Sequence, residues 1–164
     1  MKGNFILVQG SGPISEAIAL AERSGFTHAG ILTEKGTIIE AMPQGIQENP
    51  LEYERYAIFE FINATDEQCA GIIEYARSCI GEKYGYAQDI GFAINGLLEE
   101  MGFARIPGLL AEKRHIVCSA FVDLAARSQG IIVRQDRQPG DVTPAGLSFS
   151  PEVRFVYGHN LWEL

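Results

Sequence analysis

Two strand-forming runs, Thr27 to Thr33 and Thr37 to Met42, flank the tripeptide Glu34-Lys35-Gly36, and this pattern constrains the chain more than any other. A three-residue hairpin loop needs a residue that tolerates the left-handed region, and Gly36 is placed for it. With that loop length Thr33 pairs Thr37, and each outward step keeps the two residue numbers at a constant sum. Gly30 then faces Glu40, and His28 faces Met42. Side chains alternate along a strand, so His28, Gly30, Glu40 and Met42 share one face of the sheet. His28 and Glu40 are diagonal neighbours there, with Cβ atoms about 7 Å apart. Gly30 puts no side chain between them. A carboxylate that reaches an imidazole nitrogen fixes the ring tautomer and raises the basicity of the other nitrogen. A two- or four-residue loop would flip one strand and separate the pair.

The rest of the chain supplies strands and helices around this hairpin. Phe5 to Gln9 reads as a short buried strand, followed by the turn Gly10-Ser11-Gly12-Pro13. Pro13 opens a helix with an apolar stripe at Ile14, Ile18 and Leu20, and Gly25 lies just past its end. Pro43 to Pro50 reads as a loop, and Tyr56 to Ile62 alternates into a strand. Thr65 and Gln68 form a capping box for a helix that runs to about Ile80 and stops at Gly81. A second helical stretch covers Ala87 to Met101, and Gly102 to Lys113 reads as a loop or flap. Val117 to Ala126 is expected to be helical, with Cys118 near its start. The Pro- and Gly-rich tail is expected to be mostly loop, with a late strand near Val153 to Tyr157. No repeat or long linker divides the chain. The expectation is one α+β domain over residues 1–164, with hairpin strands between helices rather than regular βαβ units.

Bulk properties narrow the function classes. The formal net charge is -8, which gives no general attraction for nucleic acid or anionic membranes. No stretch is apolar for long enough to span a bilayer, and the apolar run near the N-terminus is too short for a signal peptide. As written, the chain is expected to be cytoplasmic, or exported by a route that needs no such signal, or a mature form cut from something longer. The three cysteines, Cys69, Cys79 and Cys118, include no Cys-x-x-Cys pair. That spacing argues against both a disulfide framework and a zinc ribbon, and no metal or cofactor is expected. Cys69 and Cys79 share one predicted helix and read as small core residues.

Cys118 reads differently. At the start of an apolar-periodic helix, a thiol feels the positive end of the macrodipole and has free backbone N–H groups beside it. That placement lowers the thiol pKa and offers a donor to an oxyanion. A neighbouring imidazole would complete the arrangement used in acyl transfer. His28 is the favoured base. His115, three residues before Cys118, is the rival, and it is expected in an exposed loop beside Arg114. The aromatic run Tyr53, Tyr56, Phe59 and Phe61 reads as core, and His159 has no assigned role.

Five short motifs, in order, resemble a known family. Thr27-His28-Ala29-Gly30-Ile31 resembles the Ser/Thr-His-x-Gly-Ile/Val segment of permuted NlpC/P60 proteins, the YiiX-like papain-related group. Glu40 follows the histidine by twelve positions, and Val117-Cys118-Ser119 is similar to the group's late Cys-Ser helix start. Phe5 to Gln9 with Gly10-Ser11-Gly12 resembles its opening strand and turn, and Gly81-Glu82-Lys83-Tyr84 its Gly-x-x-Tyr element. Histidine before cysteine is the mark of the permutation. The resemblance implies a circularly permuted papain-like fold, an antiparallel sheet or small barrel packed with helices. It implies a triad in which Cys118 attacks a carbonyl, His28 relays the proton and Glu40 orients His28. The Cys118 backbone N–H would serve the oxyanion hole, Tyr84 would line the site, and Gln9 is a weaker candidate for substrate binding. The implied substrate is a small peptide or acyl group, with amide bonds of murein-type peptides first. Acyl transfer or ester hydrolysis on lipids, and a non-catalytic ligand-binding module, stand as alternatives. A chain read as lacking a signal peptide departs from the secreted members of the group, which weighs against a cell-wall substrate.

Overall fold

The computed structural model describes residues 4–10, 25–42, 44–81, 110–138 and 141–161. Its centre is the hairpin. Strands β2 (Phe26–Leu32) and β3 (Thr37–Met42) pair antiparallel with Gly30 opposite Glu40, Ile31 opposite Ile39 and Leu32 opposite Ile38. Thr33 N–H donates to the Thr37 carbonyl at 2.9 Å, and Gly36 takes a φ of 76°, so the three-residue loop forms as expected. The expected pairing of His28 with Met42 does not form. The β2–β3 ladder ends at Gly30–Glu40; His28 instead pairs Val8 of β1 (Phe5–Gln9), and Met42 pairs Gly45 of β4 (Gly45–Pro50). The sheet therefore parts beyond Glu40, and His28 stands at the mouth of the split.

β4 corrects the loop expected over Pro43 to Pro50. Its polar sequence, Gly-Ile-Gln-Glu-Asn-Pro, has little strand propensity of its own. It forms by pairing along the whole of β3, from Thr37–Pro50 to Met42–Gly45. With β5 (Tyr56–Phe61) and β6 (Val153–His159) the sheet has six antiparallel strands in the order β4-β3-β2-β1-β5-β6. Among the described residues it is an open sheet with β4 and β6 at its edges.

Among the described residues three helices accompany it. Helix α1 (Asp66–Ser78) carries the expected capping box: the Gln68 backbone N–H donates to Thr65 Oγ1 at 3.2 Å and Thr65 N–H donates to Gln68 Oε1 at 3.0 Å. Such a cap is worth about 1 kcal/mol. Helix α2 runs Leu110–Arg127, and this corrects two expectations. Residues 110–113 belong to the helix rather than to a flap, and Cys118 lies two turns inside it rather than at its start. A short helix, α3 (Pro144–Ser148), capped by Thr143, replaces part of the loop expected in the tail. The helices expected from Pro13 and over Ala87 to Met101 lie outside the described residues.

Two apolar layers follow from strand alternation. Phe5, Leu7, Ala29 and Ile31 face α2, where Cys118, Phe121, Val122 and Ala125 are buried against them. The opposite face carries Ile6, Val8, Leu32 and Ile38, covered by Leu51, Tyr53, Tyr56 and Ile58. Among the described residues no helix is long and apolar enough to cross a membrane.

Candidate active site

Glu40 is the fixed point of the site. It is 2% exposed, in the middle of β3. A carboxylate so placed must be met by donors or protons, and three side chains meet it. His28 Nε2 lies 2.6 Å from Glu40 Oε2, Tyr53 donates its hydroxyl to the same oxygen at 2.5 Å, and Asn49 Nδ2 donates to Oε1 at 3.0 Å. Burial opposes ionisation of Glu40. The hydrogen bonds from His28, Tyr53 and Asn49 outweigh it, and the carboxyl titrates below its usual range.

The diagonal contact between His28 and Glu40 forms as the hairpin register requires, but Gly30 has a different reason to be glycine. The space above it is filled by Ile38, and a Cβ on residue 30 would sit 2.5 Å from Ile38 Cδ1. Glycine lets Ile38 cover the floor between the two polar side chains.

His28 is mostly buried, with 15% of its side chain exposed. Its Nε2 is taken by Glu40, which leaves Nδ1 for the other neighbour. That neighbour is Cys118. α2 packs across β2, and the Cys118 side chain is hydrogen-bonded to the imidazole. Strand alternation assigns His28 and Cys118 to opposite faces of the sheet, so the contact needs the split beside Glu40. Burial alone would lower the His28 pKa. The electrostatic pull of Cys118, the hydrogen bond to Cys118, and then the hydrogen bond and charge of Glu40 outweigh burial, raising the imidazole from 6.5 to about 10. Ser119, next to the thiol, is fully buried and donates to the Val142 carbonyl at 2.5 Å, which ties this turn of α2 to the chain before α3.

The geometry thus gathers Cys118, His28 and Glu40, and adds Tyr53 and Asn49, which the sequence reading did not single out. Tyr53 had been assigned to the core, and its ring does flank that of His28, with centroids 5.8 Å apart. Burial, the hydrogen bond to Glu40 and the charges of Glu40 and Cys118 all push its phenol upward, so it remains a donor. Asn49 fell in the stretch read as loop. Once β4 pairs with β3, Asn49 stands opposite Ile38 and diagonal to Glu40. Gln9 is buried at the end of β1, opposite Phe26 and beside the irregularity that follows Val8. Tyr84 and the side chain of His115 lie outside the described residues. His159 stacks on Tyr56 at the far strand pair, with ring centroids 5.2 Å apart. The helix-start argument for Cys118 needs correction: inside α2 its backbone N–H belongs to the helical ladder and is not a free oxyanion donor.

These features define a mixed α+β fold, with a six-stranded antiparallel sheet that splits where a helix brings a thiol to an imidazole–carboxylate pair. A solved structure with a similar fold is metalloprotein yiiX from Escherichia coli O157:H7, which superposes with a TM-score of 0.63 over 96% of each chain at 18% sequence identity. The likeness establishes the fold. No family model matches the sequence, and no curated protein does. The solved structure is described as a metalloprotein. Among the described residues here, no group of three or more His, Cys, Asp or Glu side chains is arranged to hold a metal ion. Glu40 is already engaged by three donors, so the described residues around it do not fit a metal centre.

Proposed function

We propose that this chain is a cysteine hydrolase of the permuted papain-like type, cleaving amide bonds through a thiol acyl-enzyme. The observation that carries the reading is the His28 imidazole, bonded to Glu40 through Nε2 and to the Cys118 thiol on its other side. A thiol beside a neutral imidazole gives its proton to the free ring nitrogen, which leaves a thiolate–imidazolium pair, and the thiolate is the nucleophile. Cys118 Sγ adds to the carbonyl carbon of the substrate. As the tetrahedral species collapses, the C–N bond breaks and the leaving amine takes the proton from the His28 imidazolium. Water then attacks the thioester, giving its proton to His28, and the acid departs as the thiol is restored. Glu40 keeps Nε2 protonated and aligned throughout. Gln9, buried at the end of β1, is the polar group proposed to meet the substrate. Small peptides of murein type are the first substrates to try.

The test is the alkylation of Cys118 by iodoacetamide as a function of pH. An ion-paired thiol reacts well below the free-thiol range, which lies at about 8.5, and His28→Ala moves its profile up to that range. Hydrolysis of peptide amides and of phospholipid esters is followed in parallel, with Cys118→Ala as the control. Amide cleavage that disappears with Cys118→Ala supports the proposal. Ester cleavage alone replaces amide by ester chemistry. Wild-type alkylation that follows a free thiol and ignores His28 overturns catalysis and leaves a binding module.

A further inference from the structure

Resting on that reading, we infer that Tyr53 is a positioning residue of the site: its hydroxyl shares Glu40 Oε2 with His28 Nε2 and its ring braces the imidazole. Three observations bring this out. First, Tyr53 lies in the segment joining β4 to β5, apart in sequence from both partners, yet its hydroxyl is 2.5 Å from the oxygen that His28 uses, while Asn49 holds the other oxygen at 3.0 Å. The carboxylate is clamped at both ends and cannot turn away from the imidazole. Second, the rings of Tyr53 and His28 are 5.8 Å apart and inclined by 48°, so the tyrosine limits the swing of the imidazole on the side away from α2. Third, Tyr53 packs with Ile6, Val8, Leu32 and Ile38 on the sheet face opposite the helix. The hydroxyl is thus anchored by the core of one layer while it acts on a pair that reaches toward the other.

A phenol that donates to an ionised carboxylate stabilises the anion. Without it, Glu40 takes up a proton at higher pH, and the imidazolium loses its counter-charge over the acidic range. The thiolate–imidazolium pair then forms only at higher pH. Removing the hydroxyl while keeping the ring therefore has a signature that packing alone does not produce: the acidic limb of the Cys118 profile moves upward. Tyr53 acts through Glu40, so the loss must also disappear when Glu40 can no longer ionise.

The experiment compares wild type, Tyr53→Phe, Glu40→Gln and the double variant, using iodoacetamide alkylation of Cys118 between pH 4 and pH 9 and thermal melting of each protein. Alkylation needs no knowledge of the substrate. Tyr53→Phe should shift the acidic limb upward and slow alkylation at its foot by about tenfold, the order set by one hydrogen bond to a charged group. In the Glu40→Gln background the same change should cost less than about twofold, because coupled partners are not additive. A limb that stays in place in Tyr53→Phe, or an equal effect in both backgrounds, overturns the positioning role and leaves the proposed hydrolase intact if His28→Ala still abolishes the limb. If wild type shows no limb that depends on His28, the hydrolase reading falls first. Should Tyr53→Phe melt far below wild type, Asn49→Ala tests the same clamp from the other oxygen, with the same dependence on Glu40 expected.

Discussion

Replacing Glu40 by glutamine removes one charge from a site that is otherwise sterically unchanged. The carboxylate is 2% exposed and accepts from three side chains. Glutamine retains one carbonyl oxygen, enough for Asn49. Its amide nitrogen turns a donor toward Tyr53 and His28, where two donors already point. A hydrogen bond to a charged group is worth about 1.5–3 kcal/mol, and removing one member of a buried ion pair costs about 3–5 kcal/mol. Since part of the network survives, the expected loss is about 3 kcal/mol, which in a chain of this size lowers Tm by about 6–12 °C. The sign of the pH dependence follows from the two shifts. Glu40 titrates below 4.5 in the folded state, so its contribution is present above 4.5 and fades as pH falls through the folded value. His28 is raised from 6.5 to about 10, so the contribution of its charge is full below 6.5 and is lost as pH rises toward 10. The deficit of Glu40→Gln is therefore widest between 4.5 and 6.5. It narrows at higher pH without closing, because Tyr53 and Asn49 still donate to the wild-type carboxylate. Urea unfolding of both proteins at pH 4, 6 and 9 measures this directly. A variant within about 0.5 kcal/mol of wild type at pH 6, the range of an ordinary surface change, would refute the buried carboxylate held by three donors.

Two further perturbations test other parts of the scaffold. Gly30→Ala puts a methyl against Ile38 Cδ1, and forcing that side chain aside should cost about 1–3 kcal/mol in urea unfolding, with Cys118 alkylation slowed if the imidazole is displaced with it. Arg127→Ala strands Asp123, whose side chain is fully buried and bonded to Arg127 Nε at 2.7 Å. A loss of about 3 kcal/mol is expected at neutral pH. Burial pushes the Asp123 carboxyl up against the pull of Arg127, so the deficit should shrink as pH falls and the acid becomes neutral. The same guanidinium holds the carbonyls of Arg134 and Arg137 at 3.1 Å, so limited proteolysis of the variant should open the chain near those residues.

What the sequence revealed and what it hid divide along the range of the interactions. The hairpin was legible because a three-residue loop with glycine sets a register, and register sets which side chains meet. The capping box over Thr65 and Gln68 is equally local. β4 was hidden because its residues are polar and bounded by Pro43 and Pro50. It exists through its pairing with β3, a tertiary preference that overrides propensity. With β4 missed, Asn49 could not be placed, although its offset from Glu40 follows at once from the pairing. Tyr53 was seen as apolar bulk because a tyrosine that packs and a tyrosine that donates look the same in one dimension. The span of α2 was misread because Gly102, Pro107 and Gly108 mark a break just ahead, and nothing in 110–117 signals a start. The side chains of Cys118 and His28 meet all the same, because α2 packs across β2 wherever the helix begins.

The connectivity of the site also governs how it assembles. His28 and Glu40 are twelve residues apart on one hairpin, so closing them together requires ordering only a short loop, an event of microseconds. Cys118 comes from a helix far downstream, and its docking must wait for long-range closure. A local hairpin can thereby bring His28 and Glu40 together before Cys118 docks, so that on the proposed function the thiol gains its partner only once the long-range contacts have closed.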